Sequence, residues 1–388
     1  MKSLIHNVHI IIDDEKEVFG SLIIEDGKIK SIQSTSELMN DSTQFDEVID
    51  GENQYLIPGL IDIHLHGSYG YDFIENPSLA INEVAKGLVS EGTTSFMASL
   101  TVISHQQMCD LLKEYQEVKQ NPEDAHFLGI HSEGPYLSVE YKALMDETYL
   151  RDPSIQELDE MIKCSNGLLK IMTIAPEKQG MQTFIKHAID NQITLMIGHT
   201  NTTCECAINA LNQGVTGFTH LYNAMSPHTH RRPGAVTSSF LAPNAYCELI
   251  TDGFHVHENV IASTYQILGS KQIVLVTDAM LAKGMKDGDY TFSGLRTRKT
   301  NQTVQVIETG RIAGSAITMI DAIKNMRAFT GCNIHDIVQM ACINPAKVAK
   351  VYQSKGSLDI GKDADMILLD QDFNLKKTFI QGQCVFKH

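Results

Sequence analysis

Pro58-Gly59-Leu60-Ile61-Asp62-Ile63-His64-Leu65-His66-Gly67 is an apolar run that ends in two histidines one residue apart. In an extended strand alternate side chains share a face, so His64 and His66 project together from the strand's end, a geometry that suits a metal ion. An isolated His-X-His is as readily a polar strand terminus, and only the residues downstream in the chain decide between the two.

Seven further apolar runs read as buried parallel strands, at 94–100, 127–131, 169–175, 194–199, 217–220, 247–251 and 273–277, after the first at 61–65. Helical patterns lie between them, at 80–90, 106–119, 181–190 and 204–213. Eight strands alternating with helices over about 290 residues is the arithmetic of an α/β chain folded as a (β/α)8 TIM barrel. A doubly wound open sheet is the alternative, but no Gly-X-Gly-X-X-Gly follows a strand to support it. The two ends of the chain read differently. Strands at 4–12, 18–24, 29–32 and 47–49, with an Asp26-Gly27 hairpin turn, match a β-rich ending at 364–369 and 379–386. The expected organisation is therefore a small β-sandwich domain built from both termini, 1–57 plus 357–388, around a barrel at 58–356. Within the barrel segment, a hairpin at 289–307 and helices at 318–330 and 334–341 come after the last strand.

Composition narrows the partners. A hydrophobic fraction of 43% and a charged fraction of 20% are those of a soluble globular protein. The formal net charge of −16 argues against nucleic acid, which wants a basic surface, so any phosphate site has to be local. No run approaches the roughly 18 apolar residues of a membrane span, and polar residues at Asn7, His9, Asp13 and Asp14 interrupt the start, so a cytoplasmic protein is expected. The eight cysteines are scattered and read as reduced; Cys204-X-Cys206, without a second pair, reads as the start of a helix.

Barrel enzymes carry their chemistry at the C-terminal ends of the strands, and polar residues gather there. His64 and His66 end the first strand, Glu133 follows the third, His199 the fifth, His220 the sixth and Asp278 the eighth. Each alone is weak, but together they bring a mixed nitrogen and oxygen set to one mouth, suited to one or two divalent ions such as Zn, Fe(II) or Mn. His105, His126, His187, His335 and His388 fall away from that mouth and are expected to play no part in it.

With His131-Ser132-Glu133-Gly134-Pro135, His220-Leu221-Tyr222-Asn223-Ala224-Met225, Thr251-Asp252-Gly253-Phe254-His255, Val276-Thr277-Asp278-Ala279 and Gly314-Ser315-Ala316 in place, the chain resembles the N-acetylglucosamine-6-phosphate deacetylases, a family within the amidohydrolase superfamily. The resemblance implies that Glu133, His199 and His220 hold a principal metal and that His64, His66 and Asp278, all present, can hold a second, so one or two ions per subunit, with Asp278 as the catalytic residue that moves the proton. It implies substrate contacts at Asn223, the backbone of Ala224, Arg231, Asp252, His255, Ile312, Ala313 and Gly314. It also implies hydrolysis of a phosphorylated amino sugar, N-acetylglucosamine 6-phosphate, to glucosamine 6-phosphate and acetate, in amino-sugar catabolism and cell-wall sugar recycling. A homodimer is implied as well, in which the Arg231 loop reaches the neighbouring subunit's site. Arg231 independently answers the need for a local cation, since a guanidinium fork matches phosphate oxygens.

One position departs from the family. Met145 stands where a sugar-contacting histidine is common, which bears on substrate preference and not on deacetylation. Another amide hydrolase or deaminase of the superfamily would leave Arg231 idle. A catalytically inactive scaffold would be expected to have lost ligands, and all six are present.

Overall fold

The computed structural model of the chain describes residues 2–34, 44–292 and 294–388; residues 1 and 35–43 of the expected terminal domain and residue 293 of the expected hairpin lie outside them. Among the described residues, eight parallel strands succeed one another in sequence order around a barrel: Leu60–Leu65, Thr93–Leu100, His126–Glu133, Leu169–Ile174, Thr194–Ile197, Gly217–Phe218, Tyr246–Ile250 and Ile273–Val276. Helices return the chain between strands, several with side-chain caps that end the preceding loop: Ser104 and Gln107 form a capping box on His105–Tyr115, and Ser154 caps Ile155–Ser165. Cys204–Asn212 is a helix capped by Thr203, as the sequence predicts. No described helix is long and apolar enough to cross a membrane.

The barrel closes between its first and last strands. Leu65 bridges Ala279, the Asp278 amide donates to the His64 carbonyl at 2.8 Å, and the His66 amide donates to the Ala279 carbonyl at 2.7 Å. Beneath this seam the buried Asp62 carboxylate accepts from the Thr277 hydroxyl at 2.5 Å and from the Thr277 and His64 amides. Ile61, Ile63, Met97, Ile171, Met196 and Val274 fill the interior, so the barrel is a packed core and not a channel.

The termini form one curled seven-stranded sheet in the order Gln383–Lys387, Leu375–Ile380, Met366–Leu369, Glu47–Pro58, Lys2–Ile11, Glu17–Glu25 and Lys28–Ser34. Only the pairing of Lys2–Ile11 with Glu47–Pro58 is parallel. Asp26 and Gly27 both take positive φ, 51° and 77°, which is what a tight two-residue hairpin requires. A bridge from Lys28 to Asp363 brings the two halves of the sheet face to face over Ile5, Ile10, Leu22, Leu56, Met366 and Phe379. Glu47–Pro58 is longer than the sequence suggests and runs directly into the first barrel strand, so sandwich and barrel share a continuous chain at Gly59. After the eighth strand the expected hairpin is part of a four-stranded antiparallel sheet, Gly288–Phe292, Leu295–Thr300, Thr303–Val306 and Ile312–Ser315, lying over the barrel mouth.

Gly59 admits no side chain: a Cβ there would lie 2.1 Å from Thr94 Oγ1 and 2.3 Å from Thr94 Cγ2. Gly59→Ala is expected to destabilise the protein by about 1–3 kcal/mol through overpacking. In chemical denaturation, Thr94→Ala in that background should recover part of the loss; no loss in the single variant would show that the junction yields freely.

Candidate metal centre

Six side chains converge at the C-terminal mouth of the barrel, and the strand ends aim them by unusual backbone geometry. His199, His220 and Asp278 all have positive φ, 46°, 30° and 48°, as do Tyr222 and Ala224 just beyond. Non-glycine residues seldom adopt this region, and where they do the surrounding packing holds them. Gly198 makes room for one of these turns, since a Cβ would lie 2.7 Å from Thr173 Cγ2 and 2.8 Å from Thr219 Cβ.

Two ligand groups result. In the first, Glu133 Oε1 lies 3.0 Å from His199 Nε2 and 2.9 Å from His220 Nε2, and the two imidazole nitrogens are 3.1 Å apart. Such separations suit three donors to one ion at roughly 2.0–2.2 Å. In the second, Asp278 Oδ1 lies 3.5 Å from His66 Nε2 and 3.7 Å from His64 Nε2. Glu133 lies between the groups, its Oε2 3.3 Å from His66 Nε2, so one carboxylate can face both sites.

Hydrogen bonds on the far side of three rings set their tautomers. The Nδ1–H of His64 donates to Glu248 Oε2 at 2.9 Å, that of His66 to the Ser99 carbonyl at 3.1 Å, and that of His199 to the Tyr141 carbonyl at 2.8 Å. Each of these bonds fixes the Nδ1–H, so that once the mouth is free of extra protons each Nε2 can turn a lone pair toward a cation. His64 Nε2 is buried with no hydrogen-bond partner, an orphan that a cation would satisfy. The electrostatics agree with a resident cation. Burial acts to raise the Glu133 carboxyl, yet the His199, His220 and His66 rings around it hold it well below the ordinary range. Burial acts to lower His64, but Glu248, Asp278 and Glu133 outweigh it and push the ring up to about 10, so protons occupy the place that a metal would take.

A cavity of about 610 Å³ opens over these groups, touching His66, Glu133, His199, His220 and Asp278. Asn223, Ala224, His255, Ile312 and Gly314, all expected to contact substrate, line it. Asp252 and Ala313 do not: Asp252 lies behind, accepting the His255 Nδ1–H at 2.6 Å and the amides of Phe254 and His255, which fixes the ring that does face the cavity. Arg231 also stands outside the lining, on an exposed loop, without a hydrogen bond or ion pair to any described residue. Met145 lines the cavity with Ala143 and Leu144, as do Phe292 and Leu295 of the sheet that lies over the mouth, so much of the wall is apolar.

Glu248 touches two of the candidate ligands and is not among the residues the sequence singles out. It lies on the buried seventh strand, at 0% exposure, among His64 and His131, and besides His64 it accepts the His220 amide at 3.1 Å. A lone glutamate inside Tyr246–Ile250 is the signal that could have found it, since a buried strand carries a charge only where something answers it.

The profile of the Amidohydrolase family matches residues 55–385. The chain is 33% identical over 387 residues to an N-acetylglucosamine-6-phosphate deacetylase of Bacillus subtilis (strain 168), covering 99% of this chain and 97% of that one. It is 32% identical to an N-acetylgalactosamine-6-phosphate deacetylase of Escherichia coli O157:H7, covering 87% of this chain and 89% of that one. Among solved structures it is similar to the N-acetylglucosamine-6-phosphate deacetylase of Thermotoga maritima, with a TM-score of 0.87 and 30% identity over 99% of this chain and all of that one. The Mycobacterium smegmatis N-acetyl-D-glucosamine-6-phosphate deacetylase, solved in complex with N-acetyl-D-glucosamine-6-phosphate, superposes with a TM-score of 0.89 at 25% identity, covering 100% of this chain and 99% of that one.

Glu248→Gln keeps the shape of the side chain but replaces a charged acceptor with a neutral one. It is expected to weaken metal binding at the His64, His66 and Asp278 group by about 10- to 100-fold. Titration of the metal-free protein with a competing chelator checks this; unchanged affinity would mean that His64 is held by packing alone.

Proposed function

The chain belongs to the amidohydrolase family, and from that premise we propose that it hydrolyses the acetamide of N-acetylglucosamine 6-phosphate to glucosamine 6-phosphate and acetate. The observation that carries the reading is the meeting of Glu133, His199 and His220 with Asp278 at the floor of one cavity, in a chain alike over nearly its whole length to deacetylases of this class.

A divalent ion bound there supplies Lewis acidity, polarising an amide carbonyl and making a water acidic enough to attack it near neutral pH. The identity of the ion is proposed as Zn, Fe(II) or Mn, with Glu133, His199 and His220 as its principal ligands and His64, His66 and Asp278 able to hold another. Asp278 accepts the proton of the attacking water and delivers it to the departing amine, which is too basic to leave unprotonated. His255, whose ring burial acts to lower but the Asp252 carboxylate holds above its ordinary range, presents the Nε2–H of its imidazolium to the cavity and donates to oxygen as negative charge develops. Asn223, the Ala224 backbone and the Ile312 to Gly314 strand orient the sugar.

Arg231 is assigned to the phosphate. Its exposed place outside its own chain's cavity favours service to a neighbouring copy in a homodimer, with the loop reaching across. The apolar wall at Leu144 and Met145 bears on which sugar is preferred, and the similarity to an N-acetylgalactosamine-6-phosphate deacetylase makes that epimer the comparison substrate.

The direct test is acetate release from N-acetylglucosamine with and without its 6-phosphate, and from N-acetylgalactosamine 6-phosphate. Release from none of the three would reject the reading. Asp278→Asn is expected to keep metal at the Glu133 group while turnover falls by about 10²- to 10⁴-fold; near-normal turnover would remove Asp278 from the chemistry. Arg231→Ala should lower kcat/KM for the phosphorylated sugar by roughly 10- to 150-fold, the worth of one charge-assisted contact, while hydrolysis of unphosphorylated N-acetylglucosamine stays nearly unchanged. An equal fall for both substrates would place Arg231 in folding or assembly instead.

A further inference from the structure

Outside the catalytic cavity, the helices His105–Tyr115 and Ile155–Ser165 pack side by side and hold a cluster that the barrel mouth does not use. His105 and Cys109 stand four residues apart on the first helix, Glu160 and Cys164 four apart on the second, so each pair occupies one helix face. All four line a cleft of about 370 Å³. His105 Nε2 lies 2.7 Å from Glu160 Oε2 and 3.6 Å from Cys109 Sγ, and the Cys164 thiol contacts that of Cys109. The ligand atoms of His105, Cys109 and Glu160 all fall within 4.8 Å of one another, and Cys164 stands outside that trio, against Cys109.

We propose that His105, Cys109 and Glu160 hold a zinc-like divalent ion in a separate site, with Cys164, beside Cys109, turning in to complete a tetrahedron and staple these two helices together. Three features support it. A tetrahedral ion with Zn–S of about 2.3 Å and Zn–N of about 2.0 Å requires its sulfur and nitrogen donors roughly 3.5 Å apart, close to the 3.6 Å between Cys109 Sγ and His105 Nε2. Two thiolates, an imidazole and a carboxylate make a softer donor set than that of the barrel mouth and select Zn over Mg or Ca. Charge also balances: two thiolates and a carboxylate exceed the ion's two positive charges by one, and Lys113 and Lys163 line the same cleft. Lys113 is already engaged with Asp110 at 3.0 Å, away from the donors.

A redox pair is the competing use of two adjacent cysteines, and the setting disfavours it. Cys109 is buried, at 6% exposure, which keeps its sulfur from the incoming partner that disulfide exchange requires.

Cobalt(II) distinguishes the sites, because thiolate-to-cobalt charge transfer absorbs in the near ultraviolet and the barrel mouth offers only nitrogen and oxygen donors. Full-length reduced protein titrated with cobalt should develop this band, its final amplitude that of one thiolate-bound ion per chain beyond those the barrel mouth takes. The band should vanish in Cys109→Ser/Cys164→Ser and persist in Cys204→Ser/Cys206→Ser, which controls for the other close cysteine pair. Amide-hydrolase activity of the first double variant should stay within about twofold of the parent, since none of its changes touches the cavity. No band in the reduced parent, or a band that survives loss of Cys109 and Cys164, overturns the proposal. So does a Cys109–Cys164 disulfide in protein purified without reductant that zinc fails to prevent.

Discussion

The structure depends on the seam where the last barrel strand meets the first. Two backbone hydrogen bonds and the Leu65–Ala279 bridge join them, and the buried Asp62 carboxylate ties Thr277 to the first strand below. His64 and His66 stand on one side of that seam and Asp278 on the other. Closing the barrel and assembling the second ligand group are thus the same event. Asp62 bears a cost for this: burial raises its carboxyl to about 6 despite Lys283 and the three donors around it. A buried carboxylate of this kind is retained because removing it would strand the donors it satisfies.

The mouth concentrates charge where the rest of the barrel is apolar. Glu133, Asp278 and Glu248 face four histidines, and among the described residues no lysine or arginine is an ion-pair partner of these carboxylates. In a low-dielectric setting such a group is stable only if protons or a metal neutralise it, which is why the fixed Nδ1 bonds of His64, His66 and His199 matter. They turn three rings into oriented donors before any ligand arrives, so that ordering cost falls on folding and not on binding. The same division of labour extends outward: Glu248 bonds to two of the converging histidines from outside the lining of the catalytic cavity, as Asp252 does to His255.

Much of this is legible from residues alone. Apolar runs of strand length separated by helical periodicity mark a parallel barrel, because strands buried on both faces have no polar side to alternate. Polar residues that end those runs mark the mouth, so His64, His66, Glu133, His199, His220 and Asp278 can be gathered without coordinates. Helix starts are legible where a Ser or Thr cap stands before the periodic residues, as at Ser104 and Thr203. The four-stranded sheet over the mouth is half visible, because Leu295–Thr300 carries alternation but Ile312–Ser315 is short and glycine-containing.

What the amino-acid sequence determined by itself is whatever depends on local spacing: the strand and helix periods, the His-X-His face, the caps and turns, and the residue types a divalent ion requires. Tertiary structure alone decided the contacts whose partners lie far apart in the chain. Glu248 meets His64 across 184 residues, and Asp62 meets Thr277 across 215. His105 and Cys109 meet Glu160 and Cys164 only because two outer helices pack together. Arg231 falls outside its own chain's cavity for the same reason. The direction in which a loop leaves the barrel is set by packing among many residues, and no local pattern encodes it.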